Sequence, residues 1–265
     1  MFDTVAGDRV RDVLDKRGDV LATIVGNRMD KPALVEAVGV SRSTVDRAIA
    51  DLEETGFVQR AGTEFEATQA GELAFETYQE YTTATDALGS ALPLLDALPE
   101  DAPIDTVLLE GASVTLADPH APEAALSDVV GRLDDAETLR GFAPVAKTNY
   151  VAMLHDAVAH GDLSVEIIVQ SGALDALRAV ATARDKVGAF LRADAVDVFE
   201  TEASLPYALW LLEAPTFQRA GLTVHENGAI VGVLTNDRPV AFERCREQYA
   251  EVLETADRFD TAAFD

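Results

Sequence analysis

The chain has 265 residues, of which 48% are apolar, and its 47 acidic and 21 basic residues give a formal net charge of −26. This apolar content excludes an intrinsically disordered chain despite the charge, and the length suits one large domain or two ordinary ones. The single cysteine, Cys245, excludes an intrachain disulfide.

No apolar run reaches the roughly 18 to 20 residues that a membrane span needs, so we expect no membrane partner. The N-terminal residues carry neither a basic leader nor an apolar block after it, which predicts that there is no signal peptide. Together with the lone cysteine, these features predict a cytoplasmic protein.

The acidic residues are dispersed along the chain, and only four of the 21 basic residues are lysines. This composition favours a cytosol of very high salt, where a Debye length of ~3 Å at ~1 M salt suppresses self-repulsion. An ordinary acidic protein from a low-salt cell is the alternative. Residues 28–60 contain five basic and six acidic residues, a net charge of −1, and are the least acidic part of the chain.

In chain order, the first predicted element is a helix over residues 5–16, and a helix-turn-helix follows. Pro32 suits the first turn of a helix, and Gly39 can adopt the positive φ of a tight inter-helix turn. Ser41 is a suitable N-cap for the second helix, accepting from the N–H of Ser43 or Thr44. That helix would bury apolar residues at three- and four-residue spacing, namely Val45, Ala48, Ile49 and Leu52.

The opposite face and first turn of the second helix carry residue types that contact bases and phosphates in DNA. We predict that they bind double-stranded DNA, with Ser43, Thr44 and Arg47 near bases and Arg42 near phosphate. Residues 57–60 and 64–67 predict two short strands that form a wing, which places Arg60 near a phosphate or the minor groove. The predicted DNA-binding set is Ser41, Arg42, Ser43, Thr44, Arg47 and Arg60.

The run "GVSRSTVDRAIADLEETGFVQR" resembles the winged helix-turn-helix of prokaryotic transcriptional regulators, over residues 20–75. Val35 departs from the small alanine that this family usually has in the inter-helix contact, which implies slightly wider packing there. A winged helix that makes only protein contacts is the alternative interpretation.

A heptad pattern follows the wing. Apolar and small residues step by 3, 4, 3, 4 and 3 positions, and Pro93 predicts a break or a kink near the end of this helix. The pattern favours a homodimer whose helix sets the spacing of two recognition helices, although packing on the chain's own C-terminal domain is the alternative. The predicted dimer residues are Tyr78, Tyr81, Leu88, Leu92 and Leu95, and Thr85 completes the pattern.

Beyond residue 99, strand-length apolar runs alternate with helical segments, which is typical of an α/β domain. The predicted strands are "TVLL", "SVTLA", "LSVEIIV", "AVDVF", "YALWLL", "LTVHE" and "AIVGVLT", and the predicted helices cover 122–139, 147–160, 172–192 and 239–258. Asn227-Gly228 predicts a type I′ hairpin. The last helix has a one-sided apolar stripe, in which Cys245 is expected to be a core residue.

The segments "LPYALWLLEAP", "GAIVGVLTNDRPVAFERCREQYAEVLETADRF" and "LRGFAPV" resemble the effector domains of archaeal winged-helix regulators. They are similar to the TrmB family and to the middle domain of the methanogenesis filament regulators, whose fold resembles half of a phospholipase-D-like unit without its chemistry. The whole chain resembles the haloarchaeal TrmB-suppressor regulators.

This resemblance implies an α+β chain in three parts: a winged helix-turn-helix in residues 1–75, a dimerisation helix in residues 76–98 and an α/β sensor domain in residues 99–265. It implies a transcription regulator controlled by a small-molecule effector.

An enzyme is the third interpretation, and the residues argue against it. A phospholipase-D-type hydrolase needs a histidine nucleophile with a lysine two residues later, and none of His120, His155, His160 and His225 has one. The sequence contains no metal-ligand spacing, Walker loop or dinucleotide fingerprint. We therefore expect no catalytic residue, no metal and no cofactor.

The predicted effector site lies near strand ends and loops of the C-terminal domain. A sugar or sugar phosphate would use Arg140 or Arg238 for its anionic oxygens and Trp210 for stacking. The alternative is that these are surface and core residues without a ligand, with Tyr207 and Trp210 packing the sheet. The predicted effector residues are Asp118, His120, Arg140, Trp210 and Arg238, with Tyr207 and Asn236 nearby in sequence.

Overall fold

A computed structural model describes residues 4–178 and 184–261 of the chain. Its contacts divide the chain into two compact units, Met1–Thr85 and Asp86–Asp265. Within the described residues, none of the helices is both long enough and apolar enough to span a bilayer. The elements of the first unit, in chain order, are α1 (Thr4–Ile24), α2 (Lys31–Val38), α3 (Arg42–Glu54), β1 (Val58–Ala61), β2 (Glu64–Ala67) and α4 (Gln69–Leu95), which continues past Thr85.

The predicted helix-turn-helix is confirmed in α2 and α3. Asp30 caps α2 by accepting from the N–H of Ala33 at 2.9 Å, and Gly39 ends it with a φ of 72°. The Ser41 hydroxyl caps α3 by accepting from the N–H of Thr44 at 3.2 Å. The four predicted inward residues of α3 are all buried, in one cluster with α1 and α2.

The wing is also confirmed, because β1 and β2 form an antiparallel pair with Val58 opposite Ala67. The predicted first helix is longer than expected, since α1 runs to Ile24 before the chain turns at Gly26, where φ is 75°. Pro93 lies inside α4, and the helix ends two residues later at Leu95, close to the predicted position.

The second unit is built on one mixed sheet of eight strands. Three central strands are parallel and the remaining pairs are antiparallel, in the order β10-β6-β5-β4-β7-β8-β9-β3. The strands are β3 (Ser113–Leu116), β4 (Thr138–Ala143), β5 (Ser164–Gln170), β6 (Val196–Thr201), β7 (Ala208–Ala214), β8 (Phe217–Glu226), β9 (Ala229–Asn236) and β10 (Asp257–Arg258).

Helices cover both faces of this sheet, and each face has its own apolar cluster. The described helices of this unit are α5 (Thr106–Leu109), α6 (Ser127–Val130), α7 (Thr148–His160), α8 (Ala173–Arg178), α9 (Arg184–Leu191) and α10 (Pro239–Leu253). We call the face covered by α7 and α9 the α7 face, and the face covered by α10 the α10 face. This arrangement confirms the predicted α+β fold class, a winged helix-turn-helix followed by an α/β domain.

Two sequence predictions in this unit are wrong. The run "TVLL" is the short helix α5, which Asp105 caps through the N–H of Leu108 at 3.3 Å. A four-residue apolar run has no periodicity that separates a helix from a strand. The predicted helix 122–139 is instead a series of short turns around α6, and its last residues begin β4, a central strand.

The second error has a physical cause. Ala125, Val129 and Leu133 are four residues apart and all buried, so they imitate one helical face. Two 3₁₀ turns, 122–126 and 133–135, keep these side chains pointing inward without a continuous helix.

The remaining predictions differ mainly in their limits. The predicted helix 147–160 is confirmed as α7, and 239–258 is shorter because its last residues pair with β6 as β10. The predicted helix 172–192 contains α8 and α9, while its residues 179–183 lie outside the described part of the chain. Asn227 and Gly228 have φ values of 50° and 79° between antiparallel β8 and β9, as the type I′ turn predicts.

Candidate functional site

The first turn of α3 presents a polar surface to solvent. Arg42, Ser43 and Arg47 are exposed, and Thr44 is half-buried. The Ser41 hydroxyl lies 2.9 Å from that of Ser43 and 2.8 Å from that of Thr44, so the three hydroxyls form one hydrogen-bonded group. Five of the six predicted DNA-binding residues therefore come together on one exposed surface.

Each acidic residue of α3 is paired with a basic residue from a neighbouring element. The pairs join α3 to α1, to α2 and to the wing. They are Asp46 with Lys31, Asp51 with Arg17, Glu53 with Arg60, and Glu54 with Arg9. The N–O distance is 2.9 Å for the Asp51 pair, 3.1 Å for the Glu53 pair and 2.6 Å for the Glu54 pair. The hydrogen bond from Lys31 also holds the pKa of Asp46 below its usual value.

Arg42 and Arg47 differ from every other basic residue of the first unit. The other seven are all in ion pairs, whereas no described carboxylate lies within 4.0 Å of the Arg42 or Arg47 guanidinium. The carboxylates of α3 are neutralised by their partners, so the uncompensated charge on this surface is positive. This surface can attract an anion although the chain as a whole is acidic.

Arg60 has a different environment from the five residues on α3. Its Nε donates to Glu53 Oε1 at 3.1 Å, and its guanidinium lies 5.2 Å from the centre of the Phe65 ring. The wing also exposes Glu64. The wing therefore carries no uncompensated positive charge comparable to that of α3.

The predicted dimer residues lie along α4. Tyr81, Leu88 and Leu92 are 58%, 45% and 50% exposed. Tyr78 and Leu95, at the two ends of the pattern, are half-buried against the apolar clusters of their own units. The middle of the pattern is thus an exposed apolar face, and its ends are already packed within the chain.

The five predicted effector residues do not come together. Asp118 and His120 lie on an exposed turn after β3, where the carboxylate of Asp118 accepts from the N–H of His120 at 2.7 Å. Arg238 is exposed before α10 and donates to the carboxylate of Glu110 at 2.8 Å.

Arg140 and Trp210 stand on opposite faces of the sheet. Arg140 lies on the α10 face, where it donates to Glu213 at 2.7 Å and lies 3.7 Å from Glu166, a residue that accepts from the Tyr249 hydroxyl of α10. Trp210 is buried on the α7 face. A single ligand in one pocket cannot touch both side chains.

Two other residues near the predicted site are structural. Tyr207 is fully buried, and its hydroxyl donates to Gln248 at 2.9 Å. The side-chain amide of Asn236 donates to the backbone oxygens of Leu108 and Glu110. Cys245 is buried in the same cluster, and burial raises the pKa of its thiol to about 12, as expected of a core residue.

The α7 face contains a cavity of about 120 Å³ that Trp210 lines. The indole ring lies directly above Gly221 of β8, where a Cβ atom would come within 2.0 Å of the ring. Tyr150 of α7 and His225 of β8 line the same cavity, and their ring centres are 6.4 Å apart. The rest of the lining is almost entirely aliphatic.

The sequence offered a weak signal for His225. His225 falls at an inward position of the apolar run "LTVHE", where a polar ring is unusual. Burial, and secondarily the positive charge of Lys147, lowers the pKa of His225 to about 4, whereas the backbone of Thr223 acts in the opposite direction. The imidazole is therefore neutral near pH 7.

This shift predicts a pH dependence of stability. In the unfolded chain His225 has its usual pKa of about 6.5, whereas in the folded chain its pKa is about 4. Between these two pH values the unfolded state therefore binds a proton that the folded state does not, and lowering the pH destabilises the fold. After allowance for partial solvent exposure we expect a loss of about 1–2 kcal/mol in the free energy of unfolding. Burial raises the pKa of the neighbouring Tyr150 to about 12, so this residue keeps its proton over the range and does not contribute.

Urea unfolding at pH 6.5 and pH 4, followed by circular dichroism, measures this loss. In His225→Leu, the fall in stability between the two pH values should be smaller than in the parent by that amount. An identical fall in both proteins would show that His225 is not the titrating group.

The comparisons with known proteins point to a regulatory family. Residues 122–255 match the family model "Methanogenesis regulatory protein FilR1, middle domain", and residues 11–88 match "HVO_A0261 N-terminal domain". No curated protein matches the sequence significantly.

Three solved structures align with the chain at low sequence identity. The archaeal chromatin protein TrmBL2, described as showing a novel mode of DNA binding, is 11% identical with a TM-score of 0.43, covering 95% of this chain and 99% of its own. The phospholipase D family member Nuc from Salmonella typhimurium is 12% identical with a TM-score of 0.41, covering 56% of this chain and 98% of its own. NucT from Helicobacter pylori is 14% identical with a TM-score of 0.40 and the same coverage.

The first family model covers just over half of the 265 residues, including most of the sheet of the second unit. This match confirms the predicted resemblance to the methanogenesis regulators. The chain belongs to the family of the methanogenesis regulatory protein FilR1 middle domain.

Proposed function

We propose that this protein is a transcription regulator that binds double-stranded DNA through α3 and acts without enzymatic activity. The observation that carries the proposal is the pairing of every acidic residue of α3, which leaves Arg42 and Arg47 as the uncompensated charges beside three clustered hydroxyls. Arginine and hydroxyl side chains at the start of a recognition helix are suited to base edges and phosphates in the major groove.

Membership of a regulatory-protein family supports the same proposal. A winged helix that contacts only proteins is the second candidate. It gives no reason for two arginines without a described ion-pair partner on the exposed face of α3, in a chain of net charge −26. The phospholipase-D-like hydrolase has no residue pair in its favour, since no histidine of the sequence has a lysine two positions later.

Genome-wide capture of DNA bound to the tagged protein in its own cells tests the proposal. We expect a defined sequence motif near promoters, and a mobility shift with that motif at two salt concentrations. Because few phosphates are neutralised, the affinity should fall only weakly with salt, by a log–log slope of ~0.9 for each phosphate contacted. Recovery of proteins with no enriched DNA motif would favour the second candidate.

The proposed regulator is a homodimer joined along α4. The apolar side chains of Tyr81, Leu88 and Leu92 support this, because they are exposed at heptad spacing on one side of the helix. Two parallel copies would bury this face and set the distance between two recognition helices.

Leu88→Lys should weaken the dimer at least tenfold, because it places a charged group in an apolar seam. Sedimentation equilibrium over a range of protein concentrations measures this change. Leu116→Lys, at a leucine of β3 with 51% exposure, is the matched control and should leave association unchanged. Equal association of both variants with the parent would place any dimer interface elsewhere.

The second unit is proposed to sense a small metabolite and to alter DNA binding in response. The cavity on the α7 face supports this proposal better than the scattered effector residues do. Of those five, only Trp210 lines it.

A further inference from the structure

Three residues that line the apolar cavity on the α7 face carry buried polar atoms with no hydrogen-bond partner among the described residues. The atoms concerned are the hydroxyl of Tyr150, Nε1 of Trp210 and both ring nitrogens of His225. The backbone of Thr223 lies near the imidazole and affects its pKa, but no hydrogen bond between them has normal geometry. Trp210 is more than nine-tenths buried. Buried polar groups in native proteins nearly always have a partner, so three such residues around one cavity require an explanation.

A structural role does not explain this arrangement. Polar residues that stabilise a core are paired within it, as Tyr207 is with Gln248 on the other face of the sheet. Replacing Tyr150, Trp210 and His225 by phenylalanine or leucine would fill the same space without unpaired polar atoms. Their polar groups are therefore suited to a partner that is not part of the chain.

The size and walls of the cavity limit what this partner can be. An engineered apolar cavity of about 150 Å³ in another protein holds benzene, and the present cavity is slightly smaller at about 120 Å³. The side chains of Trp210 and Tyr150 give it aromatic walls. A single aromatic ring fits this space, whereas a sugar would place several hydroxyls against aliphatic side chains with no partners.

The polar atoms specify what the ring must carry. Indole Nε1 is a donor only, the tyrosine hydroxyl can donate, and a neutral imidazole donates from one nitrogen. Three donors at one apolar site match an acceptor oxygen of the ligand.

Lys147 adds positive charge beside this site. Its Nζ lies 5.5 Å from the centre of the Tyr150 ring, and it lines a smaller cavity that shares Tyr150 with the first. Among the described side chains, no carboxylate lies within ion-pair distance of Lys147. A negatively polarised or charged oxygen is therefore favoured at this end.

We propose that the cavity on the α7 face binds a small aromatic molecule that carries a carbonyl or carboxylate oxygen. The ring lies against Trp210, and the oxygen accepts hydrogen bonds from Tyr150 and His225. Binding itself is independent of DNA, whereas its effect on DNA binding rests on the function proposed above.

Benzamide, benzoate and toluene are suitable probes, because they have similar shapes and differ in the oxygen and its charge. Trp210 is the only tryptophan of the chain, so its fluorescence, excited where these probes do not absorb, reports directly on the cavity of the full-length protein. Isothermal titration gives the affinity independently. We expect saturable binding of benzamide or benzoate that is at least tenfold tighter than that of toluene.

Variants assign the contacts. Tyr150→Phe and His225→Leu should each weaken binding about tenfold through the loss of one hydrogen bond. His160→Leu, at an exposed histidine of α7 outside the cavity, should leave binding unchanged. Ala143→Leu fills the cavity from β4 and should abolish binding. Circular dichroism of each variant confirms that it is folded.

The charge of the preferred probe distinguishes two forms of the ligand. Benzoate binding that is lost in Lys147→Met identifies a carboxylate, and benzamide binding that survives in this variant identifies a neutral carbonyl. The absence of saturable binding by both oxygen-bearing probes, toluene binding equal to theirs, or unchanged binding in Ala143→Leu would each overturn the proposal. Ligand binding by a protein that captures no DNA motif would contradict the proposed function and leave the ligand site intact.

Discussion

Arg47→Ala is expected to lose about 1–3 kcal/mol of discrimination between the operator and unrelated DNA, or roughly five- to 150-fold in relative affinity. Arg47 is exposed on α3 and has no carboxylate within 4.0 Å among the described residues, so no internal pair has to be broken for it to reach a base. Fluorescence anisotropy with the captured motif and with a scrambled sequence measures the loss.

Arg42→Ala is expected to behave differently, because a phosphate contact carries no sequence information. It should weaken binding to the motif and to the scrambled sequence by a similar factor. It should also reduce the log–log slope of affinity against salt concentration by ~0.9, the value for one phosphate contact. The contrast between the two variants separates base recognition from backbone contact on one helix turn.

Arg11→Ala is the matched control for both arginine variants. It removes the same charge from the same unit, but Arg11 is paired with Asp8 on α1. An effect of Arg11→Ala as large as that of Arg47→Ala would show that net charge, and not the surface of α3, governs binding. An Arg47→Ala protein that selects its operator as well as the parent would exclude a base contact by this residue.

Gly141→Ala is expected to destabilise the second unit by about 3 kcal/mol. A Cβ atom at this position would lie 2.2 Å from the backbone oxygen of Leu209 on the neighbouring strand β7. Since the obstruction is backbone and not a flexible side chain, β4 and β7 would have to separate at the centre of the sheet. Urea unfolding followed by circular dichroism should show a lower midpoint with an unchanged slope.

Gly89→Ala provides the control for this substitution. Gly89 is an exposed residue of α4, and no described atom outside its own helix turn lies within 4 Å of the position that an added methyl group would occupy. Because alanine is the better helix former, this variant should be neutral or more stable by up to about 1 kcal/mol. Equal midpoints for Gly141→Ala and the parent would show that the strands do not approach as closely as described.

The net negative charge of the chain affects which contacts can give specificity for DNA. In very high salt, attraction to phosphate is weak for any protein. The internal neutralisation of Asp46, Asp51, Glu53 and Glu54 removes repulsion at the contact surface without requiring a basic patch. We therefore expect specificity to come mainly from base and shape contacts, which depend less on ionic strength.

The sequence alone determined the first unit almost completely. Its signals are local: Gly39 and Ser41 act on the residues next to them, and the inward face of α3 follows from helical periodicity. Local interactions of this kind are visible along the chain because their partners are three or four residues apart. The same holds for the turn at Asn227-Gly228.

Only the tertiary structure decided which charges of α3 are neutralised and which residues line the cavity on the α7 face. The pairs that neutralise α3 join residues as distant as Arg9 and Glu54, and net charge over a window cannot reveal them. The register of β4 against β7 pairs Trp210 with Gly141, the residue next to Arg140, and so put Arg140 and Trp210 on opposite faces of the sheet. Trp210, Tyr150 and His225 instead share one cavity, because β7, β8 and α7 meet there. Long-range pairing set these neighbours, and the order of residues along the chain does not encode it in any local pattern.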